Sequence, residues 1–89
     1  MANRTLTMTD DLVAYVHALG VREHPVLAAL RVETAKLPEH NMQIGPDQGA
    51  FMALLVQATG TRSILEIGTF TGYSSTAMAL ALPPDGRIL

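Results

Sequence analysis

The chain has 89 residues, 48% hydrophobic and 16% charged, a balance that excludes a disordered tail, whose composition is nearly the reverse. Its net charge of −2, from six Lys and Arg against eight Asp and Glu, excludes the basic surface that nucleic-acid or membrane-surface binding needs. The absence of cysteine excludes disulfide frameworks, thiolate zinc sites and cysteine nucleophiles.

Two helices are predicted in the first part of the chain. Thr9 is a residue type that caps free N–H groups, and apolar residues then recur at helical spacing until Gly20. Pro25 starts the second helix, because a proline at the first helical position loses no hydrogen bond, and Pro38 ends it. One face of this second helix is predicted to hold three residues: Leu27, Leu30 and Thr34.

A loop and a third helix follow. The loop, residues 38–46, contains two apolar side chains, Met42 and Ile44, which a plain solvent-exposed loop would not favour. The third helix is predicted from Pro46 to about Thr59, with Gly60 as the stop signal. We expect its buried stripe to consist of four residues: Phe51, Leu54, Leu55 and Ala58.

The last part of the chain predicts an incomplete βαβ unit. Residues 63–68 fit a parallel strand covered on both faces, because an Ile-Leu-x-Ile run lies between turn residues. An alanine-rich helix over 76–82 follows, and residues 87–89 resemble the start of a second strand. The fold class is therefore α/β, either as the N-terminal part of a larger domain or with partner strands from another chain.

The chemistry of the sequence lies in residues 64–75. A strand that ends in Gly68, a tight turn and a helix that begins near Gly72 make an arrangement that binds anions, because free N–H groups at a helix start face the ligand. Phe70 replaces the middle glycine of the dinucleotide-binding Gly-x-Gly-x-x-Gly pattern, which disfavours a nicotinamide enzyme. A purely structural turn is the alternative.

Glu66 is a carboxylate within an otherwise apolar strand, where burial is costly unless a partner pairs with it. One interpretation is a capping or salt-bridged acid with a structural role. The other is an acceptor for the ammonium or hydroxyl groups of a ligand. An acid beside a carboxylate-binding helix start suits a zwitterionic ligand with an amino acid head group.

Several other residues are expected to have structural or solvated roles. The three histidines, His17, His24 and His40, are too scattered to form a metal site. Arg31 is expected on a solvated face, and Tyr73 is expected to pack under the glycine turn. No catalytic or metal-binding residue is therefore predicted within the chain.

Residues 64–74, Ile-Leu-Glu-Ile-Gly-Thr-Phe-Thr-Gly-Tyr-Ser, resemble the first S-adenosylmethionine-binding motif of the cation-dependent O-methyltransferases, the caffeoyl-CoA and catechol O-methyltransferase group. Residues 34–38, 42–49 and 83–88 resemble segments of the same family. The resemblance implies the N-terminal part of a Rossmann-like S-adenosylmethionine-dependent methyltransferase fold.

The resemblance also implies a division of the chain and a set of binding residues. Residues 1–60 would be a helical cap region, and residues 61–89 an incomplete first βαβ unit. Ser74 would bind the methionine carboxylate of the cofactor and Phe70 would pack beside it, while Met42 fits a core role equally well. The full set of implied cofactor-binding residues is Met42, Ile44, Glu66, Gly68, Thr69, Phe70 and Ser74.

By this resemblance, a methyl group would pass from S-adenosylmethionine to a hydroxyl of a small phenolic or catechol-like acceptor. A divalent cation such as Mg²⁺ would orient that hydroxyl and lower its pKa, and the protein would be a homodimer. The metal ligands, the ribose-binding acid and the catalytic lysine of the family lie beyond Leu89, so the chain alone is expected to be inactive. The alternative function is a binding or assembly fragment that pairs with another chain through an exposed strand edge.

The location of the protein is predicted from its apolar runs and its start. The longest runs, such as residues 77–82, fall far short of the roughly 20 residues that span a membrane. Residues 1–11 are polar and do not resemble a secretory signal. We therefore expect a cytoplasmic protein that binds neither membranes nor nucleic acid.

Overall fold

The computed structural model of the chain describes residues 6–89. Residues 1–5 lie outside the described residues. They belong to the polar start, residues 1–11, and to the predicted cap region, residues 1–60. Four α-helices and two short strands follow in chain order: α1 (Asp10–Gly20), α2 (Pro25–Thr34), α3 (Pro46–Ala58), β1 (Ser63–Ile64), α4 (Tyr73–Ala81) and β2 (Arg87–Ile88). A short 3₁₀ helix, His40–Met42, lies in the loop between α2 and α3.

The helix starts follow the local signals in the sequence. The hydroxyl oxygen of Thr9 accepts a hydrogen bond from the backbone N–H of Leu12 at 3.3 Å, which caps α1. Prolines occupy the first turns of both α2 and α3, where a missing N–H costs nothing. These contacts confirm the predicted starts of the first three helices.

Strands β1 and β2 pair in parallel, with Ser63 opposite Arg87 and Ile64 opposite Ile88, and α4 makes the crossover between them. The ladder extends to a hydrogen bond of 2.9 Å from the Glu66 N–H to the carbonyl oxygen of Leu89. Only two residues of the predicted strand 63–68, Ser63 and Ile64, are regular.

The core lies between α2 and α4, with α3 packed against α4. Leu27, Tyr73 and Ala77 form its buried cluster, and Ile44 from the loop before α3 packs against it. A Cβ atom at Gly49 would lie 2.8 Å from Cε1 of Tyr73, so glycine at this position permits the close approach of α3 to α4.

The predicted buried stripe of α3 is wrong. Its large members are exposed, at 58% for Phe51, 57% for Leu54 and 45% for Leu55, and Ala58 is exposed as well. The buried residues are Gly49 and Val56. Helix α4 packs on this small-residue face because Gly49 leaves room for an aromatic ring, and apolar bulk alone did not indicate which face would be covered.

The prediction that the strand is covered on both faces is also wrong for the described residues. Leu65 is 70% exposed and Ile67 is 90% exposed. A two-stranded ladder gives the helices of residues 6–89 little sheet to pack against. Over the same residues, no helix has the length and apolar character needed to cross a membrane.

Candidate cofactor-binding site

The turn between β1 and α4 has an alternating backbone conformation. Gly68, Phe70 and Gly72 have φ angles of 85°, 52° and 95°, in the left-handed region. Glycine adopts this region freely, whereas a residue with a side chain, such as Phe70, adopts it only when the surrounding structure holds it there. The N–H of Gly72 closes the turn by donating to the carbonyl oxygen of Thr69 at 3.0 Å.

This turn and the loop before α3 form one crevice with a cavity volume of about 50 Å³. That volume lies below the range of about 300–1,000 Å³ that encloses a small-molecule ligand, so the crevice suits one end of a larger ligand. Six of the residues predicted to bind the cofactor line it: Met42, Ile44, Gly68, Thr69, Phe70 and Ser74. The structure thus brings together two segments that are far apart in the sequence, and their role in binding stays a prediction.

Glu66, the remaining predicted binding residue, lies next to the crevice and is held by serines. The Ser74 hydroxyl donates to Glu66 Oε2 at 2.5 Å, and the Ser75 hydroxyl donates to Glu66 Oε1. Within residues 6–89, no Lys or Arg forms an ion pair with this carboxylate. Both serines come from the first turn of α4, so Glu66 is oriented by the helix whose start borders the crevice.

The start of α4 presents free backbone donors. Among the described residues, no side chain caps this helix at Gly72, so part of its first turn remains available to an acceptor. The helix dipole favours a negative group at the same place. The arrangement can therefore bind a carboxylate at the helix start and a cationic group at Glu66.

The sequence analysis missed a polar cluster behind the turn, centred on Glu23. The Tyr73 hydroxyl donates to Glu23 Oε2 at 2.6 Å, and Arg31 donates from Nε and Nη2 to the two carboxylate oxygens at 3.1 and 2.8 Å. Tyr73 is only 3% exposed, and its ring lies against Gly49 of α3. Glu23 lies 50 residues before Tyr73, and no helical spacing links it to Arg31, so the sequence carries no local signal for this cluster.

The cluster fixes the charges of its members. The hydrogen bonds from Arg31 lower the pKa of Glu23, partial burial opposes them, and the hydrogen bond from Tyr73 lowers it further. Burial raises the pKa of Tyr73, and its hydrogen bond to the Glu23 carboxylate raises it more. At neutral pH the pair is therefore a carboxylate and a neutral phenol, which makes Tyr73 a structural hydrogen-bond donor rather than a base.

A second contact that the sequence did not indicate links α2 to the turn. The hydroxyl oxygens of Thr34 and Thr71 lie 2.8 Å apart in a hydrogen bond that either can donate. Thr34 is 1% exposed, in agreement with its predicted place on the packed face of α2. The turn is thus held from outside as well as by its own backbone.

The described residues offer no metal-binding cluster. In residues 6–89, no group of three or more His, Asp or Glu side chains lies close enough together to hold an ion. A divalent cation therefore has no set of ligands in this part of the chain.

Comparisons with known proteins agree with the geometry. A family profile described as O-methyltransferase matches residues 17–89. Caffeoyl-CoA O-methyltransferase of Medicago sativa is 38% identical to the chain over 91 residues, and caffeoyl-CoA O-methyltransferase 1 of Zea mays is 41% identical over the same length. Each comparison covers the whole chain but only 37% and 35% of the two relatives. The chain therefore spans little more than a third of the curated relatives that it matches.

Solved structures show the same fold. The O-methyltransferase TomG of Streptomyces achromogenes, solved in complex with SAM, matches 91% of this chain and 39% of its own with a TM-score of 0.75 and 36% identity. The methyltransferase PaMTH1 of Podospora anserina, bound to SAH, reaches a TM-score of 0.83 over 97% of this chain and 39% of its own, at 21% identity. These likenesses confirm the predicted α/β fold class, the N-terminal part of a Rossmann-like methyltransferase fold.

Proposed function

Because this chain belongs to the O-methyltransferase family, we propose that the protein is an S-adenosylmethionine-dependent O-methyltransferase and that residues 42–74 supply part of its cofactor site. One observation carries the proposal: residues 42–44 and 68–74 line a single crevice at the start of α4. The names of the relatives, and the SAM or SAH bound in the solved structures, support the reaction class.

The crevice takes the amino acid end of the cofactor. The free backbone N–H groups at the start of α4, that of Ser74 among them, bind the methionine carboxylate. Glu66, which the Ser74 hydroxyl orients, accepts a hydrogen bond from the ammonium group. The bound cofactor supplies the methyl group from its sulfonium. Gly68 and Thr69 line the wall, and Phe70 packs beside the cofactor.

The loop before α3 forms the other wall. Met42 is 64% exposed, so its side chain is free to lie along the methionine part of the cofactor, and a role as a buried core residue does not fit. Ile44 is half-buried and packs against the core cluster, so it contributes mainly through its backbone. This division explains why two apolar residues lie in an otherwise polar loop.

The acceptor is proposed to be a small molecule with a phenolic or catechol-like hydroxyl, consistent with the caffeoyl-CoA enzymes among the relatives. A divalent cation such as Mg²⁺ does not fit residues 6–89, which offer no ligand cluster, so we derive no step through it.

We further propose that the protein is a homodimer, that residues 1–60 form a cap region and that residues 61–89 form a βαβ region. The chain by itself is proposed to lack turnover, which a methyl-transfer assay with a catechol acceptor would test.

Isothermal titration with S-adenosylmethionine tests the cofactor site directly. We expect a dissociation constant below about 1 mM and a loss of about tenfold for Ser74→Ala, which removes a charge-assisted hydrogen bond. Ser63→Ala, an exposed serine of β1 away from the crevice, is the matched control and should bind unchanged. No heat of binding at millimolar cofactor would contradict the proposal.

An assembly fragment is the second candidate function. The observation in its favour is the exposure of three large apolar residues along the two-stranded ladder: Leu65, Ile67 and Leu89. Such a surface pairs with further strands or another chain. Sedimentation analysis separates the two functions, because a monomer that binds S-adenosylmethionine contradicts the assembly role.

A further inference from the structure

Helix α2 contributes to the packing behind both walls of the crevice. Ile44, on one wall, packs against the buried cluster that contains Leu27 of α2. On the other wall, the hydroxyl of Thr34 at the end of α2 lies 2.8 Å from the hydroxyl of Thr71 in the turn. Helix α2 is therefore joined directly to the turn, and to the loop before α3 through the buried cluster.

Thr71 lies between two residues of the turn whose backbone conformation needs support from the surrounding structure. Its two neighbours, Phe70 and Gly72, have left-handed φ angles of 52° and 95°. A non-glycine residue keeps such a conformation only when the surrounding structure holds it. The hydrogen bond of Gly72 to Thr69 closes the turn on itself but does not fix its position against α2.

Thr34 is well placed to provide that contact. Its side chain is 1% exposed, so its hydroxyl has no access to bulk water as a replacement partner. A buried hydroxyl that loses its only partner pays the full cost of desolvation, which makes the hydrogen bond to Thr71 directional and hard to exchange. Thr71 is half-buried, and Thr69 and Phe70, just before it, line the crevice.

We propose that Thr34 is a positioning residue whose hydroxyl holds the 68–72 turn in the shape that receives the amino acid end of S-adenosylmethionine. Thr34 does not itself line the crevice and acts through Thr71, which does. The identity of the ligand rests on the proposed function, whereas the hold on the turn rests on the geometry alone. The test therefore measures the turn and the ligand separately.

The central comparison is Thr34→Val, which keeps the shape and removes the hydroxyl, against Thr34→Ser, which keeps the hydroxyl. We expect Thr34→Val to weaken S-adenosylmethionine binding by about tenfold, the equivalent of one hydrogen bond, and to speed hydrogen exchange at the Gly72 amide. Thr34→Ser should restore both values to within about threefold of the unaltered chain.

Thr59→Val is the matched control. It also removes a threonine hydroxyl, one that donates to the Leu55 carbonyl oxygen at 2.7 Å at the C-terminal end of α3 and lies away from the crevice. We expect it to change neither cofactor affinity nor Gly72 exchange. Thr71→Val should reproduce the effect of Thr34→Val, and the double variant should be no worse than either single one, since both remove the same bond.

The outcomes separate the two proposals. Equal affinity and equal Gly72 exchange in Thr34→Val and the unaltered chain would overturn the positioning role while leaving the proposed function intact. If the unaltered chain binds no cofactor but Thr34→Val still speeds Gly72 exchange, the proposed function fails and the hold on the turn is supported. If Thr34→Val unfolds, Gly72 exchange in Thr71→Val tests the hold on the turn, because Thr71 is only half-buried.

Discussion

Helix α4 and the strand ladder beside it follow opposite rules of burial. In α4 the most buried residues are Tyr73, Ala77 and Met78, at 3%, 4% and 8% exposure. In the ladder region, Leu65 and Ile67 are wholly aliphatic, yet they are 70% and 90% exposed. The comparison teaches that burial here follows close approach and hydrogen bonding at the turn rather than the apolar bulk of each residue.

The largest effect is expected from removing the aromatic ring at the centre of the buried region. Tyr73→Ala should lower the free energy of unfolding by about 3–5 kcal/mol, because it opens a cavity between α3 and α4. Tyr15→Ala removes the same side chain from a position that is 64% exposed and should change stability by less than about 0.5 kcal/mol. Urea unfolding followed by circular dichroism measures both, and equal losses would contradict the comparison.

Overpacking the contact between α3 and α4 should lower the free energy of unfolding by a smaller amount. In Gly49→Ala, the new Cβ would lie 2.8 Å from the Tyr73 ring, and the cost exceeds the gain in helix propensity, for a net loss of about 1–2 kcal/mol. Gly20→Ala, where nothing lies within 4 Å of the new Cβ, is the control and should be neutral or slightly stabilising. Thermal unfolding of the pair tests this, and a stabilised Gly49→Ala would show that the helix contact is loose.

A smaller effect is expected from acid. The folded-state pKa of Glu23 lies below its ordinary value of 4.5, so its contribution to stability is complete above that pH and is lost as the pH falls through the lower value. The loss should be about 1 kcal/mol, since the Arg31 partner is 45% exposed and screened by solvent.

Urea unfolding at a series of acidic pH values measures the Glu23 contribution. Glu23→Gln should remove this part of the acid dependence, and Glu39→Gln, at an exposed position, is the matched control that should preserve it. An unchanged acid profile in Glu23→Gln would mean that the carboxylate does not help to hold Tyr73.

The smallest effect on stability is expected in the ladder. Ile67→Thr keeps a β-branched side chain at a position that is 90% exposed, so the free energy of unfolding should change by less than about 0.5 kcal/mol. Self-association, measured by sedimentation, should fall if this surface is where chains meet. A large loss of stability would show instead that Ile67 is packed in solution.

The helix starts were predicted correctly because they depend only on interactions between residues close together in the sequence. Helix starts are marked by Thr9, which accepts a hydrogen bond within one turn, and by Pro25 and Pro46, whose missing N–H has no partner in a first turn. These signals can be recognised in the sequence without knowledge of the fold. The contacts of Glu66 could be predicted only in part. Its cost of burial was recognised, but its serine partners depend on how α4 folds back over the strand.

The errors concern contacts between distant segments. Periodicity marked an apolar face on α3 but did not show that Gly49 would let α4 pack on a different face. Glu23 and Tyr73 are 50 residues apart, and no pattern in either segment indicates the other. Strand length also depends on the partner strand, which is why 63–68 was predicted too long.

Helix α3 separates the two walls of the crevice along the chain, since one wall precedes Pro46 and the other follows Ala58. An α-helix advances about 1.5 Å and turns about 100° with each residue. A single inserted or deleted residue within these 13 would therefore rotate one wall away from the other, even if every side chain of the crevice were kept. The register of a helix that does not line the crevice thus constrains which insertions the site can tolerate.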